Sequence, residues 1–277
     1  MQLGAICLDQ VVFNVELPKA DAEVIPGVPW GPVEAFPSPA YWAYQVYARR
    51  LIGDRINYKL GTTLKEEVGA CLLGGHGIPA SVGLAAFRHV RERGAFSDQP
   101  PSEETLLEWL REPLTVDERQ VRYRFAKQKA RYLSAALKKL SVERAPLESG
   151  RALRDWLLDV PGIGYKTASW VARNWLDADD VAILDIHILR AGLLGKFFDS
   201  HLTVERHYLE LEDQFIRFSK GLGVRASELD ALMWLEMMAS PSTVHSIMGM
   251  GHHAPTSNSR GRTKKSKPNP GQLTLIS

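Results

Sequence analysis

The chain has 277 residues, of which 45% are hydrophobic and 24% are charged, a balance typical of a folded protein with room for one domain or two small lobes. Cys7 and Cys71 are the only cysteines, which excludes a disulfide framework and a cluster held by cysteines alone. The sequence has no apolar run near the ~20 residues that cross a bilayer, and residues 1–10 lack the features of a signal peptide. We therefore expect a cytoplasmic protein that does not associate with a membrane.

The net charge of +2 conceals an asymmetry along the chain. No acidic residue follows Glu236, whereas five Lys or Arg residues do. The other 29 basic and 32 acidic residues leave the rest of the chain slightly acidic. We expect residues 246–277, which are polar, basic and rich in proline and glycine, to form a disordered tail. Any affinity of the body for nucleic acid must then come from a local basic surface.

The first 36 residues mix short apolar runs with prolines and glycines, which predicts an irregular N-terminal extension with a short strand within residues 5–15. From residue 37 to residue 245 the pattern is helical. Helix-entry signals such as Ser38 alternate with glycines that end helices, such as Gly74 and Gly75. Strand-like alternation is scarce, so this core is predicted to be all-α.

A basic stretch at residues 119–139 carries eight Lys or Arg residues and no acidic residue, and its pattern predicts a helix. One face of this helix is apolar at helical spacing: Ala126, Ala130, Leu133, Leu137 and Leu140. The opposite face presents Lys127, Lys129 and Arg131, together with Arg124 and Lys138. A solvated charged face is the ordinary interpretation, but surface helices usually interleave both signs. We therefore expect Lys127, Lys129 and Arg131 to lie near phosphates.

The stretch "LLDVPGIGYKTASWVARNW" at residues 157–175 predicts two helices joined by a tight hairpin. Pro161 cannot continue the first helix, and Gly162 and Gly164 can adopt positive φ without steric cost. Lys166 follows at the start of the second helix. The backbone N–H groups there suit a phosphate, although a plain corner between two helices fits the glycine pattern equally well.

The residues "LLDVPGIGYKTAS" resemble the helix-hairpin-helix of the HhH-GPD superfamily of DNA glycosylases, in which some branches carry a lysine directly after the hairpin, as Lys166 does here. Nineteen residues later, "VAILDIHILRA" places Asp185 where the superfamily has its catalytic aspartate, with His187 two residues on. This spacing is most similar to that of the 8-oxoguanine DNA glycosylases. The resemblance covers roughly residues 40–240.

The resemblance implies a DNA glycosylase with an associated AP-lyase step that excises an oxidised or modified purine, with 8-oxoguanine as the first choice, from double-stranded DNA. It implies that Lys166 forms a Schiff base with the sugar and that Asp185 stabilises the positive charge on it. Gly162, Gly164, Tyr165 and His187 would contact the DNA backbone. The expected enzyme needs no cofactor and no metal, acts as a monomer and associates with the nucleoid.

Two other functions remain open. The chain could excise another modified base, such as a hypermodified phage base, or it could bind DNA through the hairpin without catalysis. Asp185 could also be only the N-cap of a helix, since an aspartate in that position usually is.

The resemblance also implies a two-lobed fold. A six-helix lobe is expected at roughly 60–165, and a second lobe from 37–59 together with 166–245. The N-terminal extension at 1–36 and the tail at 246–277 lie outside this core.

Residues of the base pocket are less well defined by the sequence. The stretch at 72–84 departs from the polar strand-separating loop of the family, and His76 lies among its glycines. Trp42, Phe215 and Trp234 are candidates to stack on a flipped base, although aromatics at helical spacing more often lie in the core.

Within the tail, Gln272, Leu273, Leu275 and Ile276 resemble the short motif by which bacterial repair and replication proteins bind the sliding clamp. The apolar side chains would fill a pocket on the clamp, and the glutamine would form a hydrogen bond at its rim. Short motifs also match by chance, so a fortuitous match is the alternative.

Overall fold

The computed structural model describes residues 1–8, 10–53, 58–75 and 77–249. Most of this part of the chain is helical, as predicted. The helices are α1 (Pro39–Ile52), α2 (Leu64–Leu73), α3 (Ala80–Glu92), α4 (Glu103–Arg111), α5 (Ala126–Val142), α6 (Gly150–Leu157), α7 (Tyr165–Leu176), α8 (Ile186–Leu194), α9 (Tyr208–Leu222), α10 (Ala226–Ala239) and α11 (Pro241–Ile247). The strands are β1 (Gln2–Leu8), β2 (Val11–Leu17), β3 (Glu23–Ile25), β4 (Val28–Pro29), β5 (Leu114–Val116) and β6 (Arg119–Val121).

Local sequence sets where several helices begin. The side chains of Ser38, Thr63, Ser102 and Ser149 each accept a hydrogen bond from the backbone N–H three residues later. Each such N-cap satisfies one of the donors that a helix start leaves without an intrahelical partner. The starts of α1, α2, α4 and α6 are therefore encoded locally.

The chain folds into two compact units, formed by the described residues of 57–183 and by those of 1–56 with 184–249. We call them the hairpin unit and the split unit. In the hairpin unit, α2 packs on α3, α5 and α7, while α5 also packs on α4 and α7 on α6. The largest side chains of its core include Leu72, Leu73, Phe87, Leu106, Leu133 and Leu137. The apolar face predicted for α5 is confirmed by this core.

The prediction of one helix from residue 119 is wrong at its N-terminal end. Residues 114–121 form the antiparallel pair β5–β6, in which Thr115 pairs with Gln120. Asp117 and Glu118 turn the chain with φ of 47° and 62°. Aspartate adopts this conformation more readily than most residues. The helix therefore begins at Ala126.

A buried carboxylate ties α7 into the hairpin unit. Glu67 of α2 is fully buried, and its Oε1 accepts a hydrogen bond of 2.7 Å from Asn174 Nδ2 of α7. Its Oε2 accepts bonds from the backbone N–H groups of Leu60 and Gly61, at 2.7 and 2.9 Å. The sequence-based boundary at residue 165 divides α6 from α7, whereas α7 packs on both α2 and α6 in the structure.

In the split unit, α10 contacts α1, α8 and α9. The N-terminal extension is more regular than expected, because β1 and β2 pair in antiparallel register from Gln2 opposite Leu17 to Leu8 opposite Val11. Tyr44 of α1 supports this pair by donating a hydrogen bond of 2.7 Å to the carbonyl of Ala5. Among the described helices, none is long and apolar enough to cross a membrane.

Candidate active site

The hairpin between α6 and α7 is the first part of the candidate site. The chain leaves α6 at Leu157, and Val160 and Ile163 are buried and anchor the turn. The N–H of Ile163 donates to the carbonyl of Val160 at 3.1 Å. Gly162, between them, has φ of +83° and is exposed. The predicted reversal is confirmed in geometry, with apolar anchors inside and glycine outside.

A contact from the basic helix fixes this turn. A Cβ atom added to Gly162 would lie 2.0 Å from the ring of Tyr132 on α5, far inside van der Waals contact. Gln128, one helical turn earlier, donates a hydrogen bond of 2.9 Å to the Tyr132 hydroxyl. Glycine is thus required at 162 by both φ and space. No spacing in the sequence links residues 132 and 162, which explains why sequence reasoning missed this contact.

The start of α7 presents the candidate nucleophile. Gly164 is the N-cap in extended conformation and has no side chain that could cap the first-turn N–H groups. Lys166 is exposed in the first turn. The Tyr165 ring is 37% exposed and lies 5.5 Å from the guanidinium carbon of Arg154. An amine, backbone N–H groups and an aromatic ring therefore share one accessible helix end.

The basic helix contributes fewer solvent-facing cations than predicted. Lys127 and Arg131 are exposed, as expected for phosphate contacts. Lys129 is only partly exposed, because its Nζ donates to the carbonyls of Leu72 at 2.5 Å and Gly74 at 3.1 Å. Its partial burial lowers the pKa of the Lys129 amine. The Lys129 ammonium is therefore directed at the end of α2, and its predicted phosphate contact stays a prediction.

Asp185 lies in the split unit, at the N-terminus of α8. Its Oδ1 accepts hydrogen bonds from the backbone N–H groups of His187 and Ile188, at 2.8 and 3.2 Å. The side chain is thus an N-cap, which the sequence left open, and it is half-buried. The same two bonds orient the carboxylate, so capping and an electrostatic role in catalysis are compatible.

His187 and Trp234 lie together in the split unit. Their ring centroids are 6.1 Å apart in an edge-to-face arrangement, and both side chains are half-buried. The structure therefore places Trp234 beside the D-x-H triplet of Asp185 and His187, on the neighbouring helix α10. Sequence reasoning selected both residues but gave no reason to pair them.

Two of the predicted stacking residues are core residues instead. Trp42 and Phe215 have no exposed surface. Trp42 packs edge-to-face on Phe36 and Tyr41, and Phe215 packs in a cluster with Phe197. A side chain without an accessible face cannot stack on a flipped base, so the structure contradicts both predictions.

Other predicted residues cannot be placed. His76 and the motif residues Gln272, Leu273, Leu275 and Ile276 lie outside the described residues. Among the residues that are described, no three His, Cys, Asp or Glu side chains gather in a way that could hold a metal ion.

Comparison with known proteins decides the family. Residues 61–224, which include the hairpin, Lys166 and Asp185, match the family described as Ogg-HhH, 8-oxoguanine DNA glycosylase. The chain belongs to this family.

Curated relatives agree with membership of the Ogg-HhH family. A Methanocaldococcus jannaschii protein named 8-oxoguanine DNA glycosylase/AP lyase is 32% identical over 129 residues, which are 45% of this chain and 62% of that protein. A Saccharolobus islandicus protein of the same name is 35% identical over 123 residues, 41% of this chain and 58% of that protein. The chain thus spans less than two thirds of the curated relatives it matches.

The crystal structure of the M. jannaschii 8-oxoguanine DNA glycosylase has a similar fold, with a TM-score of 0.56 and 24% identity, and the match covers 72% of this chain and 93% of that one.

The hairpin geometry of this Ogg-HhH chain predicts different costs for its two glycines. Gly162→Ala should lower the free energy of unfolding by at least ~2 kcal/mol, because alanine is strained at φ +83° and would meet Tyr132. Gly164→Ala is the matched control and should cost less than ~1 kcal/mol, since its φ is −102° and no described atom lies within 4 Å of an added Cβ. Denaturant unfolding of both variants measures this; equal losses would contradict the packing argument.

Proposed function

We propose that the protein excises 8-oxoguanine, or a closely related oxidised purine, from double-stranded DNA and then cleaves the strand through a lysine Schiff base. The observation that carries this proposal is the pair of helix starts described above: Lys166 exposed at the start of α7, and the Asp185 carboxylate oriented at the start of α8, in a chain of the Ogg-HhH family. The names of the curated relatives support the same activity. The enzyme acts as a monomer, without a metal or cofactor.

The reaction requires access to the sugar of the damaged nucleotide. A base inside the duplex shields C1′, so the nucleotide must be flipped out at a cost of a few kcal/mol. The hairpin holds the backbone beside it, through the N–H groups at the start of α7 and through Lys127 and Arg131. His187 contacts a neighbouring phosphate.

The chemical steps then need one amine and one carboxylate. The neutral amine of Lys166 attacks C1′ as the bond from C1′ to the base breaks, and the base leaves with the electron pair and is protonated. Asp185 stabilises the positive charge that develops on the sugar. Loss of the amine proton and opening of the sugar ring give the Schiff base, and removal of a C2′ proton expels the 3′ phosphate.

The first test concerns Lys166. With an 8-oxoguanine duplex and sodium borohydride, the wild-type protein should give a covalent adduct, and Lys166→Gln should reduce its yield at least a hundredfold, because an amide cannot form the Schiff base. Gel electrophoresis of the trapped complex measures the yield.

Lys127→Gln is the matched control, since it removes an exposed lysine at the DNA surface but leaves the nucleophile in place. It should weaken DNA binding and still trap fully at saturating protein. Undiminished trapping by Lys166→Gln would refute the assignment. A panel of duplexes with other modified bases, tested in parallel, separates 8-oxoguanine from a different lesion; an absence of excision across the panel would favour a non-catalytic DNA-binding module.

The second test separates the two roles of Asp185. Asp185→Asn keeps a side-chain oxygen that can cap α8 but removes the charge, so base excision should slow at least a hundredfold with a change in unfolding free energy below ~0.5 kcal/mol. Asp185→Ala removes the cap as well and should cost ~1 kcal/mol of stability in addition. Single-turnover excision and denaturant unfolding give both numbers. An active Asp185→Asn variant would leave Asp185 with capping alone.

We propose further that residues 272–276 dock the enzyme on the bacterial sliding clamp. A peptide of residues 268–277 should bind the clamp with micromolar affinity, on the order of −8 kcal/mol. Replacing Gln272 and Leu275 together by alanine should abolish binding, while excision from short oligonucleotides stays unchanged in the full chain. Isothermal titration calorimetry measures the affinity. An absence of binding at several hundred micromolar would exclude docking on the clamp through this motif.

A further inference from the structure

The end of α2 carries a glycine loop, by which we mean Gly74, Gly75 and Gly77. Gly75 and Gly77 are exposed, with φ of +103° and +75°. No described atom lies within 4 Å of a Cβ added to Gly75. The backbone at Gly75 and Gly77 is therefore accessible to another molecule, and close approach to backbone is a common use of glycine.

Three consecutive carbonyls at the base of this loop receive side-chain donors. The Tyr123 hydroxyl donates to the carbonyl of Leu73 at 2.5 Å. The Lys129 ammonium donates to the carbonyls on either side of it, those of Leu72 and Gly74. A helix leaves its last carbonyls without intrahelical partners, and its C-terminal dipole attracts a cation, so both donors stabilise this end of α2.

Aromatic rings complete the support. The Phe125 ring lies 3.6 Å from the position of a Cβ on Gly77, and Trp170 of α7 lies 3.5 Å from that position on Gly74. The guanidinium carbon of Arg124 is 5.1 Å from the Phe125 ring, which brings an exposed cation beside the loop. Residues 123–129 thus place an open glycine backbone next to positive charge, as a surface that meets nucleic acid would require.

We propose that Lys129 is a positioning residue, whose ammonium holds the glycine loop against duplex DNA opened at the damaged base. This proposal rests on the proposed glycosylase function. Lys129 then contributes to base opening through the loop that it holds, whereas Lys127, two residues earlier, contributes through a phosphate.

Salt dependence of DNA binding separates these two roles. The slope of log K against log salt is negative, and loss of one phosphate contact should reduce its magnitude by about 1. Lys127→Met should show this decrease, and Lys129→Met should keep the wild-type slope. If the magnitude of the slope decreases as much for Lys129→Met as for Lys127→Met, Lys129 is a phosphate ligand and the proposal is overturned.

Excision from two substrates tests the loop itself. With 8-oxoguanine paired to cytosine, Lys129→Met should slow single-turnover excision at least tenfold more than with 8-oxoguanine opposite an abasic site, where the base is already unpaired. Tyr123→Phe removes only the hydroxyl that donates to the carbonyl of Leu73. It should also slow excision more opposite cytosine than opposite an abasic site, by about threefold. This second variant decides the matter if Lys129→Met fails to fold.

Equal slowing on both substrates would show that the hydrogen bonds from Lys129 and Tyr123 contribute to stability alone, and it would overturn the proposal. A wild-type protein that excises neither base would instead refute the proposed function. That result is obtained before any variant is made, so the two failures are distinguishable.

Discussion

The contact between Tyr132 and Gly162 is the constraint on which the hairpin depends. The tyrosine ring occupies the space that any side chain at 162 would need, so the turn and the basic helix α5 have a fixed relation. This relation places the exposed lysine and arginine of α5 on the same unit as the start of α7. One packing contact thus links the helix that carries the exposed cations to the hairpin that carries the candidate nucleophile.

Both candidate catalytic residues lie at helix starts, but their charges interact with the helix dipole in opposite ways. The carboxylate of Asp185 accepts two N–H groups of α8 and complements the positive end of the helix dipole. The ammonium of a lysine in the first turn of α7 opposes that dipole, so helix stability does not explain the presence of Lys166. The proposed attack of its amine on C1′ of the damaged nucleotide would give Lys166 a function at this position.

The sequence allowed the helical core, the hairpin and several N-caps to be predicted, because these features depend on residues close together in the chain. Contacts between distant residues were not predictable. Helical spacing predicts that Lys129 lies on the same face as Lys127 and Arg131. It cannot show that Lys129 reaches the carbonyls at the end of α2. Likewise, helical spacing alone does not separate an aromatic residue of a base pocket from one of the core. Packing places Trp42 and Phe215 in the core.

The most direct test of the central claim is to locate the covalent bond. After borohydride reduction of the wild-type protein on an 8-oxoguanine duplex, nuclease and trypsin digestion followed by tandem mass spectrometry would identify the modified amine. We predict a sugar remnant on Lys166, in a peptide of residues 155–173, because trypsin does not cleave after the modified lysine. A remnant on Lys127, on Lys129 or on the amino terminus would contradict it.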